Sequence, residues 1–82
     1  MSFFQISTII AALSKMGAAV TEKQLELLKW RLSEEAQKFY TVEETNRFYE
    51  ALKKGDTSII DVVRFEKQNK INELKSELEQ QL

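Results

Sequence analysis

The fold of this chain is decided by its last stretch, IIDVVRFEKQNKINELKSELEQQL, which occupies residues 59–82. The stretch contains neither proline nor glycine, and its apolar residues recur at spacings of three and four, as on one face of an α-helix. Its first turns are the most apolar, with Ile59, Ile60, Val62, Val63 and Phe65. So wide an apolar surface predicts that this half of the helix is buried on more than one side.

The second half of the same helix carries one narrow apolar stripe, which we call the seam: Ile71, Leu74, Leu78 and Leu82. The residues around it are mostly charged. A stripe of this width predicts contact with another helix. It extends over about two heptads, fewer than the three or four that identify a coiled coil from sequence alone.

Helix length favours contact with a second chain. A helix over residues 58–82 would be about 37 Å long, whereas the 57 residues before it would fold into a globule roughly 26 Å across. The end of the helix would extend beyond the globule, and short isolated helices are marginally stable in water. We therefore expect the seam to bind a protein partner, with a homodimer as the first expectation. The alternative is that the helix folds back and the seam joins the chain's own core.

The start of this helix is marked by a change of residue type. Gly55 suits the left-handed position that ends a helix, and Asp56, Thr57 and Ser58 are good N-cap residues for the next one. The sequence thus predicts a single domain with two parts. Residues 1–57 form a compact helical core, and residues 58–82 form a C-terminal helix for dimerisation or partner binding.

The core is predicted to contain three helices. Ser2 is a candidate N-cap for the first helix, which Gly17 ends. Its two apolar stripes predict that this helix is nearly surrounded by protein, either as a central core helix or at a dimer interface. The stripes comprise Phe3, Ile6, Ile10 and Leu13 on one side and Phe4, Ile9, Ala12 and Met16 on the other. Thr21 with Gln24 and Thr41 with Glu44 form capping boxes, which predict helices over 22–40 and 42–54. In the latter, the residues expected to face inward are Val42, Phe48, Tyr49 and Leu52.

Composition supports this architecture and excludes much enzyme chemistry. The 82 residues are 43% hydrophobic and 30% charged, with two glycines and no proline, which is typical of a helical domain. The absence of cysteine and histidine excludes thiol nucleophiles, histidine-assisted triads and the usual zinc sites. Adjacent glutamates at 34–35 and 43–44 point about 100° apart on a helix, so neither pair converges on a metal or substrate. We predict no catalytic residue, cofactor or metal.

Charge argues against nucleic acid and membrane partners. The net charge is −1 at pH 7, and no basic run is longer than Lys53-Lys54. The segment 1–16 lacks the basic start of a signal peptide, and it is too short to span a bilayer. We expect a cytoplasmic protein. A DNA-binding regulator is a weaker alternative, because two helices joined through Gly17 have the outline of a helix-turn-helix, although the second begins with mixed charges.

Trp30 and Arg31 form a second candidate contact patch. Tryptophan and arginine are enriched at binding hot spots, and the two are neighbours on a flank of the predicted second helix. A single tryptophan in so small a domain is also a common half-buried core residue, which is the interpretation that we favour for Trp30.

These observations predict an all-α domain of about four helices with a long, partly protruding amphipathic C-terminal helix. The function expected from them is protein binding, by a small adaptor or inhibitor that occupies a surface of a larger protein. Compact helical inhibitors of phages and mobile elements are comparable in size and texture, though no motif links them to this chain. The alternative is a scaffolding or assembly protein that self-associates through its C-terminal helix.

Overall fold

A computed structural model of the chain describes residues 3–81, apart from the side chains of Phe3 and Phe4. It contains five helices: α1 (Phe3–Lys15), α2 (Glu22–Arg31), α3 (Glu34–Gln37), α4 (Val42–Lys53) and α5 (Ser58–Gln81). The described residues form no strand. The prediction of an all-α domain with a long C-terminal helix is confirmed. The predicted cap at Ser2 and the seam residue Leu82 lie outside the described residues.

Both predicted capping boxes are present. The Thr21 hydroxyl accepts the backbone N–H of Gln24 at 3.1 Å, and the Gln24 side chain accepts the backbone N–H of Thr21 at 3.0 Å. Thr41 and Glu44 exchange the same two bonds at 3.1 and 2.9 Å. These bonds satisfy amide groups that have no partner inside a helix, so they fix where α2 and α4 begin.

The two glycines end helices, as predicted. Gly17 follows α1 with φ of 76° and Gly55 follows α4 with φ of 78°, conformations that residues with a Cβ rarely adopt. After Gly55, the carboxylate of Asp56 accepts the backbone N–H of Ser58 at 3.1 Å and also its hydroxyl. The chain therefore turns between α4 and α5 within a few residues.

The prediction of one helix over 22–40 is wrong. Helix α2 ends at Arg31, and Ser33 caps the single-turn helix α3 by accepting the backbone N–H of Ala36 at 3.3 Å. The Ser33 hydroxyl also donates to the carbonyl of Trp30. A serine that bonds to nearby backbone groups competes with helix continuation, and this explains the break without proline or glycine.

The core is built mainly where α5 packs against α2. Leu28 of α2 and Ile60 and Val63 of α5 are fully buried. The two helices run in the same direction, because Gln24 donates to the Asp61 carboxylate at 3.2 Å while the Lys67 ammonium lies 5.2 Å from the centre of the Trp30 ring. Helix α1 packs on α4 and adds Ile6 and Leu13 to the core.

Three burial predictions are wrong. Val62 and Phe65 are 46% and 65% exposed, and Val42 is 78% exposed. Helix α5 contacts the core through one face only, and both Val62 and Phe65 project from the opposite side. Val42 lies outside the stripe that buries Phe48 and Leu52.

Helix α1 is also less enclosed than predicted. Ile6 and Leu13 are buried and Ile9 and Ile10 are half-buried, but Ala12 and Met16 are exposed. The expected contacts of Phe3 and Phe4 lie outside the described side chains. One stripe of α1 therefore belongs to the core, and the second remains accessible at the surface.

The end of α5 protrudes from the globule. Every residue from 71 to 81, a segment that we call the overhang, is exposed. The molecule measures 50 × 21 × 21 Å, so its long dimension is more than twice the others. The fold-back alternative is wrong, because the overhang packs on no other helix of the described chain.

Replacing Leu28 with Asp is expected to unfold the domain. The side chain is fully buried, and an unpaired carboxylate there costs several kcal/mol, against a total stability of about 5–15 kcal/mol for a typical domain. Circular dichroism during thermal unfolding would measure the loss. Lys29→Asp, at the exposed neighbouring position of α2, is the control and should melt nearly as the parent chain does. A cooperatively folded Leu28→Asp variant would contradict the assigned core.

Candidate protein-interaction site

The described part of the seam is a row of exposed aliphatic side chains. Ile71, Leu74 and Leu78 are 38%, 48% and 57% exposed, and they follow one another at intervals of three and four residues. This is the anchor spacing with which a helix binds an apolar groove. The seam residues are thus brought together on one face, and they are accessible to another molecule.

The seam continues the face of α5 that packs in the core. At about 100° per residue, Leu74 and Leu78 project within roughly 60° of the directions of Ile60 and Val63. Lys67 projects between them, and its ammonium lies over the Trp30 ring at 5.2 Å. A charged residue therefore marks the end of the intramolecular contact, and one turn later the same face becomes apolar again with no helix beside it.

The overhang has a polar back and an acidic balance. Asn72, Ser76 and Gln80 lie away from the seam. The overhang carries three glutamates, at 73, 77 and 79, and one lysine, at 75, so its net charge is −2. A partner surface that is apolar in the middle and basic at its edges would match this distribution.

The structure separates the two residues of the second candidate patch. Trp30 is half-buried, with its ring edge-on to Tyr40 at a centroid distance of 6.2 Å. Arg31 is only 2% exposed, so its placement on an accessible flank is wrong. Trp30 lies at the end of the core beneath Lys67 and close to the start of the overhang. Binding by Trp30 stays a prediction, and the Arg31 side chain serves the interior.

Arg31 joins three helices through stacking and hydrogen bonds. Its guanidinium carbon lies 3.5 Å from the centre of the Tyr40 ring and 4.9 Å from that of Phe48. One guanidinium nitrogen donates to the Thr45 hydroxyl at 3.4 Å. The Tyr40 hydroxyl donates to the Glu66 carboxylate of α5 at 3.2 Å. Stacking of a cation on aromatic rings stabilises a charge where water is scarce.

The surroundings of this cluster shift three pKa values. Burial lowers the pKa of Arg31, an effect opposed by Tyr40 and Glu66, and arginine remains charged at any ordinary pH. Burial, followed by the negative charge of Glu66, raises the pKa of Tyr40. The hydrogen bond from the Thr41 backbone N–H lowers the pKa of Glu44.

A cavity of about 170 Å³ lies beside the cluster. Its charged lining residues are Arg31, Arg47, Glu44 and Glu66. Two basic and two acidic groups leave no net charge for an ionic ligand, and neither a thiol nor an imidazole is available as a nucleophile or base. The contacts of Arg31, Tyr40 and Glu66 link α2 and α4 to α5. Sequence patterns could not reveal them, because Tyr40 and Glu66 are 26 positions apart.

A second cavity, the α1–α4 groove, is larger and apolar. It measures about 450 Å³ and is lined by Ile9, Ala12, Met16, Tyr49 and Leu52 together with Lys15 and Lys53. Sequence reasoning assigned the second apolar stripe of α1 to the core or to a dimer interface, and it did not identify this groove. The signal was present in that stripe, but only the packing of α1 on α4 shows that a groove remains open.

The described residues contain no group of three or more acidic, cysteine or histidine side chains that could hold a metal ion. None of the helices over residues 3–81 is both long enough and apolar enough to cross a membrane. Compared with protein-family models, with curated proteins and with solved structures, the chain matches none. Its function has to be inferred from its own surfaces.

The raised pKa of Tyr40 leads to a prediction for alkaline solution. The unfolded chain releases the phenol proton near the ordinary tyrosine pKa of about 10, whereas the folded chain retains it to higher pH. The unfolded state then binds fewer protons, so the free energy of unfolding is unaffected below that pH and decreases above it. Denaturant unfolding at several pH values between 8 and 11 would measure the decrease.

Tyr40→Phe is the matched variant, because it keeps the ring beneath Arg31 and removes the ionisable hydroxyl. Its free energy of unfolding should decrease less steeply above pH 10 than that of the parent chain. Some decrease should remain in both proteins, because the pKa of Tyr49 is also raised. Equal pH dependence of the two proteins would show that Tyr40 is not responsible.

Proposed function

We propose that this protein is a non-enzymatic protein-binding module that acts through the seam. In this role the overhang is laid into an apolar surface of a larger protein, as an adaptor or inhibitor would do. The observation that carries the proposal is the exposure of Ile71, Leu74 and Leu78 on a helix face that is fully buried earlier in the same helix. An apolar helix face that no other described helix covers is typical of an interface.

The energetics of the overhang support a partner. Full burial of a leucine or isoleucine side chain stabilises by about 1.5–3 kcal/mol. Eleven residues alone would form a marginal helix, but here the first half of α5 is fixed in the core and the overhang continues it. The seam is therefore presented in helical form before binding, which reduces the entropy lost on association.

The polar residues support binding over catalysis or DNA recognition. The charged residues that line the cavity beside Arg31 are balanced, and they include neither a thiol nor an imidazole. The first turns of α2, the would-be recognition helix, carry Glu22 and Glu26 and one basic residue, Lys23. A DNA-binding helix usually carries an excess of basic residues, since phosphate contacts dominate affinity.

A second candidate is an assembly protein that associates with copies of itself. One observation favours it, namely the α1–α4 groove, because the same chain then carries both a protruding apolar helix and an apolar depression. Both candidates use the seam, and they differ in the surface that receives it.

Replacing Leu74 and Leu78 with Lys, which we call the seam variant, is expected to abolish partner binding while keeping the fold. The two side chains contact no other helix, so helicity and melting temperature should change little. Two anchors are lost, and affinity should decrease about 100-fold or more. Affinity capture from lysate of the source cells would measure binding, and circular dichroism would measure the fold.

The back variant, Asn72→Lys with Ser76→Lys, is the matched control. It adds the same charge at the same spacing on the polar side of the overhang. The proposal is supported if a protein is retained by the parent chain and the back variant but lost by the seam variant. Equal loss in both variants would show a general charge effect. Unfolding of the seam variant would show that the seam belongs to the core.

A further inference from the structure

We infer that the α1–α4 groove accepts the overhang of a second copy, so that copies of this chain associate head to tail. The inference rests on the second candidate function, self-association through the seam, and it adds the receiving surface and the head-to-tail arrangement. It follows from the shape, charge and position of the two surfaces.

The groove has the apolar lining that a helix face requires. Its volume of about 450 Å³ is within the range of about 300–1,000 Å³ that is usual for binding pockets. The two helices that form it supply apolar walls through Ile9, Met16, Tyr49 and Leu52. Helix-in-groove recognition uses anchors at positions i, i+3 and i+7 of the bound helix, which is the spacing of the exposed seam residues.

Charge is complementary at both edges. Lys15 belongs to the segment of α1 and Lys53 to that of α4, so each wall of the groove carries one ammonium group. On the overhang, Glu77 and Glu79 project about 100° to either side of the midline of the seam. One carboxylate therefore faces each wall. The existing Lys53–Glu50 ion pair is exposed on both sides, and such pairs are weak enough to exchange partners.

The position of the groove requires that the occupant come from another copy. A Cβ atom placed on Gly55 would lie 3.7 Å from the Met16 sulfur, so the groove adjoins the turn that precedes α5. Leu74 lies 16 residues beyond Ser58, about 24 Å along the helix. The seam and the groove are thus at opposite ends of an elongated molecule, and an unbroken α5 cannot bring them together within one chain.

Pairing of two seams with each other would bring together two acidic overhangs, each with a net charge of −2. It would cover only three described, partly exposed side chains per copy, a small part of the roughly 1,200–2,000 Å² that specific interfaces bury. Insertion into the groove instead places the acidic overhang beside Lys15 and Lys53. Because the two surfaces differ, the contact is heterologous, and it can extend to a chain of copies or close to a ring.

Sedimentation of the full-length protein over a range of concentrations tests the inference. The groove variant, Ala12→Glu, places a carboxylate in the groove opposite the glutamates of the overhang. Its control, Ala11→Glu, adds the same charge at an exposed position that does not line the groove. The parent chain, the control and the back variant should increase in mass with concentration. The seam variant and the groove variant should sediment as monomers, with association weakened about 10-fold or more in each.

Mixing the two defective variants provides the decisive measurement. The groove variant retains a working seam and the seam variant retains a working groove, so an equimolar mixture should form a 1:1 dimer that does not grow further. If circular dichroism shows that Ala12→Glu alters the fold, substitutions of the exposed charged residues at the edges of the groove take its place. Lys15→Glu with Lys53→Glu should weaken association, and a chain with Glu77→Lys and Glu79→Lys should restore it on mixing.

The remaining outcomes separate this inference from the proposed function. Normal association of the groove variant, with loss in the seam variant, would show seam-to-seam pairing and overturn the inference alone. A parent chain that stays monomeric, yet captures another protein through the seam, would also overturn the inference and leave the proposed function standing. Association or capture that is unchanged in the seam variant would overturn both.

Discussion

The structure depends on the contact between α2 and α5. Leu28, Ile60 and Val63 are fully buried there, and α1, α3 and α4 add their apolar residues around that contact. Because the two helices run in the same direction and α5 is more than twice as long as α2, the contact ends while α5 continues. The overhang is thus a direct result of unequal helix lengths, and it needs no special local sequence.

At the end of the contact between α2 and α5, aromatic and charged side chains pack together in place of apolar ones. Lys67 lies over Trp30, and Tyr40 holds Glu66 while it stacks on Arg31. Long side chains of this kind cover apolar surface with their stems and keep their charges close to water. These side chains cover the end of the core that is nearest to the overhang. The seam that follows is a separate apolar surface, and its exposure is the basis for assigning it to an interface.

Sequence patterns were sufficient for features with local causes. The capping boxes at Thr21 and Thr41 and the left-handed glycines involve residues within a turn of one another, so they could be predicted. The exposure of Phe65 could not, because an apolar residue is buried only if another helix reaches it. The open groove likewise depends on how α1 meets α4. Of the proposed interaction site, the apolar row of the seam was predictable from spacing, while the buried position of Arg31 required contacts that span three helices.

Because α5 is uninterrupted, the number of residues between the core and the seam determines the direction in which the seam faces. Val63 is fixed in the core and Leu74 projects from the overhang, with ten residues of uninterrupted helix between them. Adding a single residue in that interval would advance the seam by about 1.5 Å and turn it by about 100° around the helix axis. Adding seven would move it about 10 Å further out and return it to nearly the same azimuth. The length of this interval therefore sets the distance between the globule and a partner bound at the seam. It also sets their relative rotation about the helix axis.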